Sequence, residues 1–508
     1  MFRYGPTFIL QIAGVTANRS DPTAPMCQWI RTRLLMLATV MLLGSTGCGG
    51  AGLAGVLPTP TATPTPNEWT WASGANVINR PGVYGAEGTT TSNSGPGARV
   101  SAVTWTDKSG NLWLFGGYGN DSSSARTGDL NDLWKYSEGG WTWVAGSNTI
   151  EQSGTYGTQG SPAAGNVPGA RYEATGSSDA AGDFWLFGGL GIDSTGKRGY
   201  LNDLWKYSGG QWTWVSGPAN APGPQTPGVY GTQGTPDPDN IPGARVDAVS
   251  WTDASGNFWL FGGEGPDSTG KLGILNDLWK YSEGEWTWMS GSNLQGQIGT
   301  YGTLGTAAAD NVPGSRTNPV TWTDASGNFW LFGGQGNDST TPPLCVTHPG
   351  DPCLLNDLWK YSEGQWTWMG GSNLMDQPGT YGTRGVPAPG NVPGARWFAV
   401  SWVDKTGDLW LFGGIAMDST GTLFGDSNDL WKYGGGQWTW VSGSNLLAQT
   451  GTYGNLGTAA LDNIPGARDS AVSWVDASGD LWLFGGTDVF SIPLPAGGTF
   501  NDLWKYTP

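Results

Sequence analysis

The sequence predicts an all-β fold, six small sheets of four strands each set in a ring. Three observations predict it. The phrase "NDLWKY" begins at Asn131 and returns at Asn202, Asn276, Asn356, Asn428 and Asn501, and recurrence at a steady spacing is the mark of a repeat architecture. Glycine supplies 86 residues, which alone would suggest low complexity, but 31 tryptophans need somewhere to be buried. Turn signals such as "DKSGN" and "SEGG" cut every repeat into short pieces rich in β-formers. At 508 residues one undivided core is not expected.

Residues 1–47 read as an export signal. Arg31 and Arg33 precede the apolar run 34–43, and small residues lead into Cys48. A short positive segment, an apolar run and a small-residue cleavage site are the logic of secretion. The run is too short to cross a bilayer, which takes about 20 residues, and no other stretch qualifies, so no transmembrane helix is expected. The site resembles a bacterial lipoprotein processing site, which implies lipidation at Cys48. Ser45 stands where that site usually has leucine, and an ordinary secretory signal with an incidental cysteine is the alternative. Residues 1–25 add nothing to this logic, and Met26 is the expected start.

Residues 48–67 are glycine-rich, then alternate proline and threonine. Such a chain stays extended and solvated, as a tether does. Export also sets the redox environment. With Cys27 removed and Cys48 acylated, Cys345 and Cys353 remain, and a local disulfide between them is expected in an oxidising compartment. A metal site there would need more ligands than His348 supplies. Residues 1–47 hold four arginines and one aspartate, so the rest carries 20 basic and 40 acidic side chains, a balance of −20. That field disfavours nucleic acid and anionic lipid surfaces.

Residues 68–508 carry the repeats. Each begins "PGAR" or "PGSR", ending at Arg99, Arg171, Arg245, Arg316, Arg396 and Arg468. A β-branched stretch follows, then "NLWLFGG" or a near variant, then "NDLWKY", then "WTW". "LWLF" is apolar throughout, so both faces of that strand are expected to be buried. The tryptophans of "WTW" alternate and share one face. A sheet buried on both sides needs neighbours on both sides, which a ring provides while leaving only short edges. The glycine pairs are expected to admit a positive φ and a close aromatic neighbour. The Asn-Asp of "NDLWKY" is expected to cap its turn.

The units resemble kelch repeats of the β-propeller superfamily, whose hallmark is a strand ending in paired glycines, then a tyrosine and a tryptophan separated by six residues. Tyr136 with Trp143, Tyr207 with Trp214, Tyr281 with Trp288, Tyr361 with Trp368 and Tyr433 with Trp440 all keep that spacing. The units here are longer than the kelch length of about 50 residues. Tyr506 has no tryptophan after it, while an unmatched "WTW" stands at 69–71. The resemblance therefore implies a six-bladed β-propeller of four-stranded kelch-type blades, closed by an N-terminal strand that completes the last blade.

Function is expected on the face where the two long loop classes emerge, between blades and between the second and third strands. Tyr84, Tyr156, Tyr230, Tyr301, Tyr381 and Tyr453 recur in the interblade loops; they could stack on sugars or contact proteins, and the reading preferred is that each packs its own loop. The six arginines could line an anion-attracting funnel, and the reading preferred is pairing with acidic or aromatic groups of the adjoining blade. Asp121, Asp193, Asp267, Asp338 and Asp418 are expected as turn caps rather than calcium ligands. Catalysis needs asymmetry, so the positions that vary matter most. Two places past each arginine stand Ser101, Glu173, Asp247, Asn318, Phe398 and Ser470, and Glu173 with Asp247 could form a carboxylate pair. One place past the arginine, Trp397 and Asp469 stand out. Repeat four carries an insertion around Cys345.

Three functions compete. The first is an exported, surface-anchored binding module for carbohydrate or protein, monomeric, touching the membrane only through its lipid, and otherwise extracellular or periplasmic. The second resembles galactose oxidase, whose copper site needs two histidines; His348 is the chain's one histidine, so that label would rest on fold analogy. The third resembles sialidases, but "SEGEWTW" lacks the aspartate of that family's repeated box. No catalytic residue, metal or cofactor is assigned from the sequence.

Overall fold

The computed structural model describes residues 66–508 apart from 124–125, 222, 224–225, 341–352 and 491–496. Residues 1–47, read above as an export signal, lie outside the described residues, as do Cys48, nearly all of the stretch read as a tether, Cys345 and His348; Cys353 is buried. Among the described residues all regular structure is β, and no helix is long and apolar enough to cross a membrane.

One repeat shows how the sequence makes a sheet. Val103–Thr106 pairs with Leu112–Asn120, which pairs with Thr127–Ser137, which pairs with Gly140–Ala145, all antiparallel. The first hairpin is fixed by Asp107, whose Oδ1 accepts from the amides of Ser109 and Asn111 and whose Oδ2 accepts from Trp113 Nε1. An aspartate that binds its own backbone two residues on is a turn former. The same turn recurs at Asp179, Asp253, Asp324, Asp404 and Asp476.

The order recurs in the other repeats. In the sixth, Val472–Val475, Leu481–Phe484 and Leu503–Thr507 supply three strands. Glu68–Ser73 supplies the fourth, antiparallel to Leu503–Thr507, with Trp69 opposite Tyr506 and Trp71 opposite Trp504. The first strand described and the last thus occupy one sheet.

Sheets pack face to face through aromatics. Trp105 of the first repeat stacks on Phe184 of the second with ring centroids 3.9 Å apart. Phe115 joins Leu186 and Trp205 in the same cluster. The "LWLF" strands are buried at nearly every position, as their unbroken apolar pattern requires. Each large side chain buried here contributes about 2 kcal/mol.

The glycine pairs do something other than admit an aromatic. Gly116 and Gly117 sit at φ 64° and 99°. A Cβ on Gly116 would lie 2.8 Å from the carbonyl oxygen of Arg171 in the next repeat. Backbone, not a ring, occupies the space. The second glycine of a pair also donates its amide across the interface, from Gly189 to Arg245 O at 2.9 Å and from Gly486 to Arg99 O at 3.0 Å. The latter joins the sixth repeat to the first.

The first strands of successive repeats lie side by side. Thr104 Oγ1 donates to Ser473 O, Ser473 Oγ to Ser401 O and Ser401 Oγ to Thr321 O. Thr252 Oγ1 donates to Ser178 O. Small side chains on these strands leave a cavity of about 230 Å³ lined by residues such as Ala102, Thr175, Val320, Ser401 and Ser473.

Candidate functional site

The six arginines and six tyrosines, both ligand candidates in the sequence, are structural. Arg99 makes a bidentate pair with Asp132, at 2.7 Å to Oδ1 and 2.8 Å to Oδ2, and donates to the carbonyls of Gly97 and Gly116. Tyr84 donates its hydroxyl to the same Asp132 at 2.7 Å, and Trp134 Nε1 donates at 2.6 Å. The arrangement repeats around Asp203, Asp277, Asp357, Asp429 and Asp502. Five of the tyrosines are less than a tenth exposed, and Tyr453 is half-buried. No ring face is left for a sugar, and no guanidinium for an anion.

This corrects two sequence expectations. The arginine's partner comes from its own repeat rather than the adjoining one. The aspartate of "NDLWKY" holds the arginine instead of capping a turn; its neighbour Asn131 ties loops together, accepting from Ser147 N and donating to Pro168 O. Burial alone would raise the Asp203 carboxyl, but Arg171 beside it holds it below the usual range. Burial likewise raises the Tyr156 hydroxyl, and the charge on Asp203 adds to that. Removing one partner of such a buried pair costs about 3–5 kcal/mol.

The aspartates of the "D-S-[ST]" steps are turn formers. Asp193 Oδ1 accepts from the amides of Thr195 and Lys197, and Oδ2 from Ala221. Asp267 accepts from Thr269, Lys271 and Gln295 in the same way. Both oxygens serve loops, which leaves little for a cation.

The position two past the arginine is different in kind. Ser101, Glu173, Asp247, Asn318, Phe398 and Ser470 all have φ between 47° and 57°, the left-handed region that costs a non-glycine residue about 1 kcal/mol or more. What holds them is a relay of amides: Ser470 N to Phe398 O, Ser101 N to Ser470 O, Glu173 N to Ser101 O, Asp247 N to Glu173 O and Asn318 N to Asp247 O, each 3.0–3.2 Å. The six side chains line one cavity of about 160 Å³. Backbone geometry is thus common to the six while the side chains are free to differ.

At this cavity the structure brings Glu173 and Asp247 together, as the sequence suggested. Burial pushes the Glu173 carboxyl up to about 7, with Glu264 adding to the shift and Arg198 opposing it. Burial and the nearby Glu173 also raise Asp247 well above the carboxylate range, and the Asn318 side chain offsets part of that. Glu264 accepts from the Tyr200 hydroxyl at 3.2 Å. Arg198, the cation beside this group, is spent on a bidentate pair with Asp129 at 2.8 and 3.1 Å. Two carboxyls therefore line a confined space, a third adds its charge, and the cation beside them is already paired.

Sequence reasoning missed Glu264 and Tyr200. Glu264 directly follows a glycine pair, where the other repeats have Tyr118, Leu190, Gln335, Ile415 and Thr487; that variation was the available signal. A second acid pair was half-seen. Burial pushes Asp469 up to about 6, with the Asp426 carboxyl against it. Trp397, the remaining candidate, packs on Leu354, Ala395 and Met417 and sets its ring 4.6 Å from that of Phe398. Acids thus stand in the second and third repeats and again in the fifth and sixth, with Asp426 in the same sheet as Trp397. Among the described residues no group of three or more His, Cys, Asp or Glu is placed to hold a metal ion.

No family model matches the chain, and no curated protein does. Among solved structures, the chain is similar to one titled "Structure of YjhT", with a TM-score of 0.44 and 12% identity over 80% of this chain and 94% of that one. It is also similar to a fungal alcohol oxidase of the AA5 family in complex with copper, with a TM-score of 0.43 and 14% identity over 84% of this chain and 77% of that one. Similarity at this level assigns neither activity nor ligand, and the account of the site rests on its own geometry.

Proposed function

We propose that residues 68–508 form a six-bladed, kelch-type β-propeller that acts as an exported binding module, tethered through Cys48 and taking carbohydrate or protein ligands at its long-loop mouth. The blade count is supported by four strands paired in like order in each of the six repeats, by a terminal strand pair within one sheet, and by one cavity lined from all six repeats. Export is supported by the composition of residues 1–67. The observation that carries the functional reading is the ring of positive-φ residues. Six like backbone settings present five different side chains to one opening, serine twice, as recognition of an asymmetric ligand requires.

A second reading follows from Glu173. A carboxyl held near 7 beside other acids is suited to general acid catalysis, as in glycoside hydrolysis. Copper oxidation is not favoured, since its ligand set is absent from the sequence.

The mature chain applied to a glycan and cell-wall polymer array tests the binding reading. Binding that falls about tenfold or more in Asp247→Asn is expected. Binding indifferent to that change, or none to any glycan or cell-surface protein fraction, contradicts it. Turnover of a chromogenic glycoside panel, lost in Glu173→Gln, would instead establish the enzyme.

A further inference from the structure

We infer that the part of the ligand that enters this mouth is an aliphatic ammonium group, held between Glu173 and Asp247 within reach of the charge on Glu264, and that its binding displaces protons. The inference rests on the binding reading above and deepens it by naming the chemistry of the group received.

The geometry argues first. The cavity of about 160 Å³ is smaller than the 300–1,000 Å³ usual for a whole small-molecule ligand. It admits a tip, not a sugar ring. Glu173 and Asp247 line it in adjacent repeats, and Glu264 acts on both. The Asp247 oxygen Oδ1 is shut off from bulk water, and the Asn318 side chain that faces it does not close a hydrogen bond, since Asn318 Nδ2 is left unpaired as well. A buried acceptor left without a donor costs about 1–3 kcal/mol, a cost that a ligand N–H would relieve. The other walls hold no cation: Ser101, Asn318, Phe398 and Ser470 complete the ring.

The groups facing the three carboxyls are all accounted for. Tyr200 donates to Glu264. Asp129 takes the forked Arg198 guanidinium, which also lies 3.5 Å from the Tyr172 hydroxyl, and the Asp129 charge adds to the upward shift of Glu173. Asn318 faces Asp247. Burial and mutual repulsion therefore favour the protonated forms of Glu173 and Asp247 when the mouth is empty. An ammonium ion supplies positive charge in place of the protons, and its three donors suit three acceptors. By linkage, a ligand that favours the ionised carboxyls lowers their proton affinity and expels protons. Affinity should rise with pH through about 7, the range in which Glu173 titrates.

Calorimetry of the mature chain tests this, with putrescine, its uncharged diacetyl derivative, and Nα-acetyl-lysinamide as probes. Putrescine and the lysine side chain remain cationic at both pH 5.5 and pH 8, so any pH dependence belongs to the protein. Either amine should bind at least about tenfold more tightly at pH 8 than at pH 5.5. Proton release should be detected by comparing buffers of different ionisation enthalpy, and affinity should fall about fivefold or more in Glu173→Gln and in Glu264→Gln. Preference between the two amines tells a free polyamine from a lysine side chain. Proton release by the unaltered chain keeps the test valid should a variant misfold. Equal binding of the diacetyl form, or amine binding without proton release, overturns the inference. So does failure of both amines to bind. In each case a positive array result would leave the mouth as a binding site for a neutral ligand.

Discussion

Glu173 is where a single residue connects packing to function. Its side chain is confined beside Glu264 and Asp247, and burial pushes its carboxyl up to about 7. The folded-state value lies above the ordinary 4.5. Its protonated form therefore favours the native state fully at pH below the unfolded value, and that contribution is lost as pH rises through about 7. Glu173→Gln has nothing to ionise. It should be more stable than the natural chain at pH 8, by on the order of 1–3 kcal/mol and with a higher Tm, and nearly equal to it at pH 4. Thermal unfolding at the two pH values decides. A variant equally destabilised at both would mean that Glu173 serves packing alone. Glu173 and Asp247 were legible because they break a repeat whose other residues agree. Glu264 and Tyr200 were not, because only the packing of the second repeat against the third brings the Tyr200 hydroxyl to Glu264. The arginines were half-legible: an ion-pair partner was expected, but Asp132 lies 33 residues along the chain and no periodicity names it.

The glycine pair is the element that couples one sheet to the next. Its strand was legible in "LWLFGG", and so was the need for a positive φ. What the sequence did not disclose was the neighbour, since a backbone carbonyl has no side-chain identity to read. Gly486 sits at φ 90°, and a Cβ there would lie 2.6 Å from Asp469 O. Its amide also serves Arg99 O in the first repeat. Gly486→Ala must shift backbone at the junction of the chain's two ends. A loss of about 2–4 kcal/mol is expected in urea unfolding, against only the backbone cost of about 1 kcal/mol for alanine at Gly457, where φ is 75° but nothing lies within 4 Å. Equal costs at the two sites would locate the penalty in φ and remove the carbonyl contact from the account.

For the whole molecule, the opposed terminal strands set the limits of what the rest can do. The relay of amides from Phe398 through Ser470, Ser101, Glu173 and Asp247 to Asn318 crosses from the sixth repeat to the first, and that crossing also depends on Glu68–Ser73 lying against Leu503–Thr507. The unmatched "WTW" and the missing tryptophan after Tyr506 made this junction legible in the sequence. The junction is what places acids from the second and third repeats and aromatics from the fifth around one cavity. Thr70 and Lys505 are directly opposed, within the Cα separation that a disulfide spans. Oxidation of a Thr70→Cys, Lys505→Cys double variant, read by peptide mass spectrometry, tests the junction most directly. The account predicts an intramolecular cross-link between the two terminal peptides in folded monomer; cross-links only between molecules, or none, would contradict it.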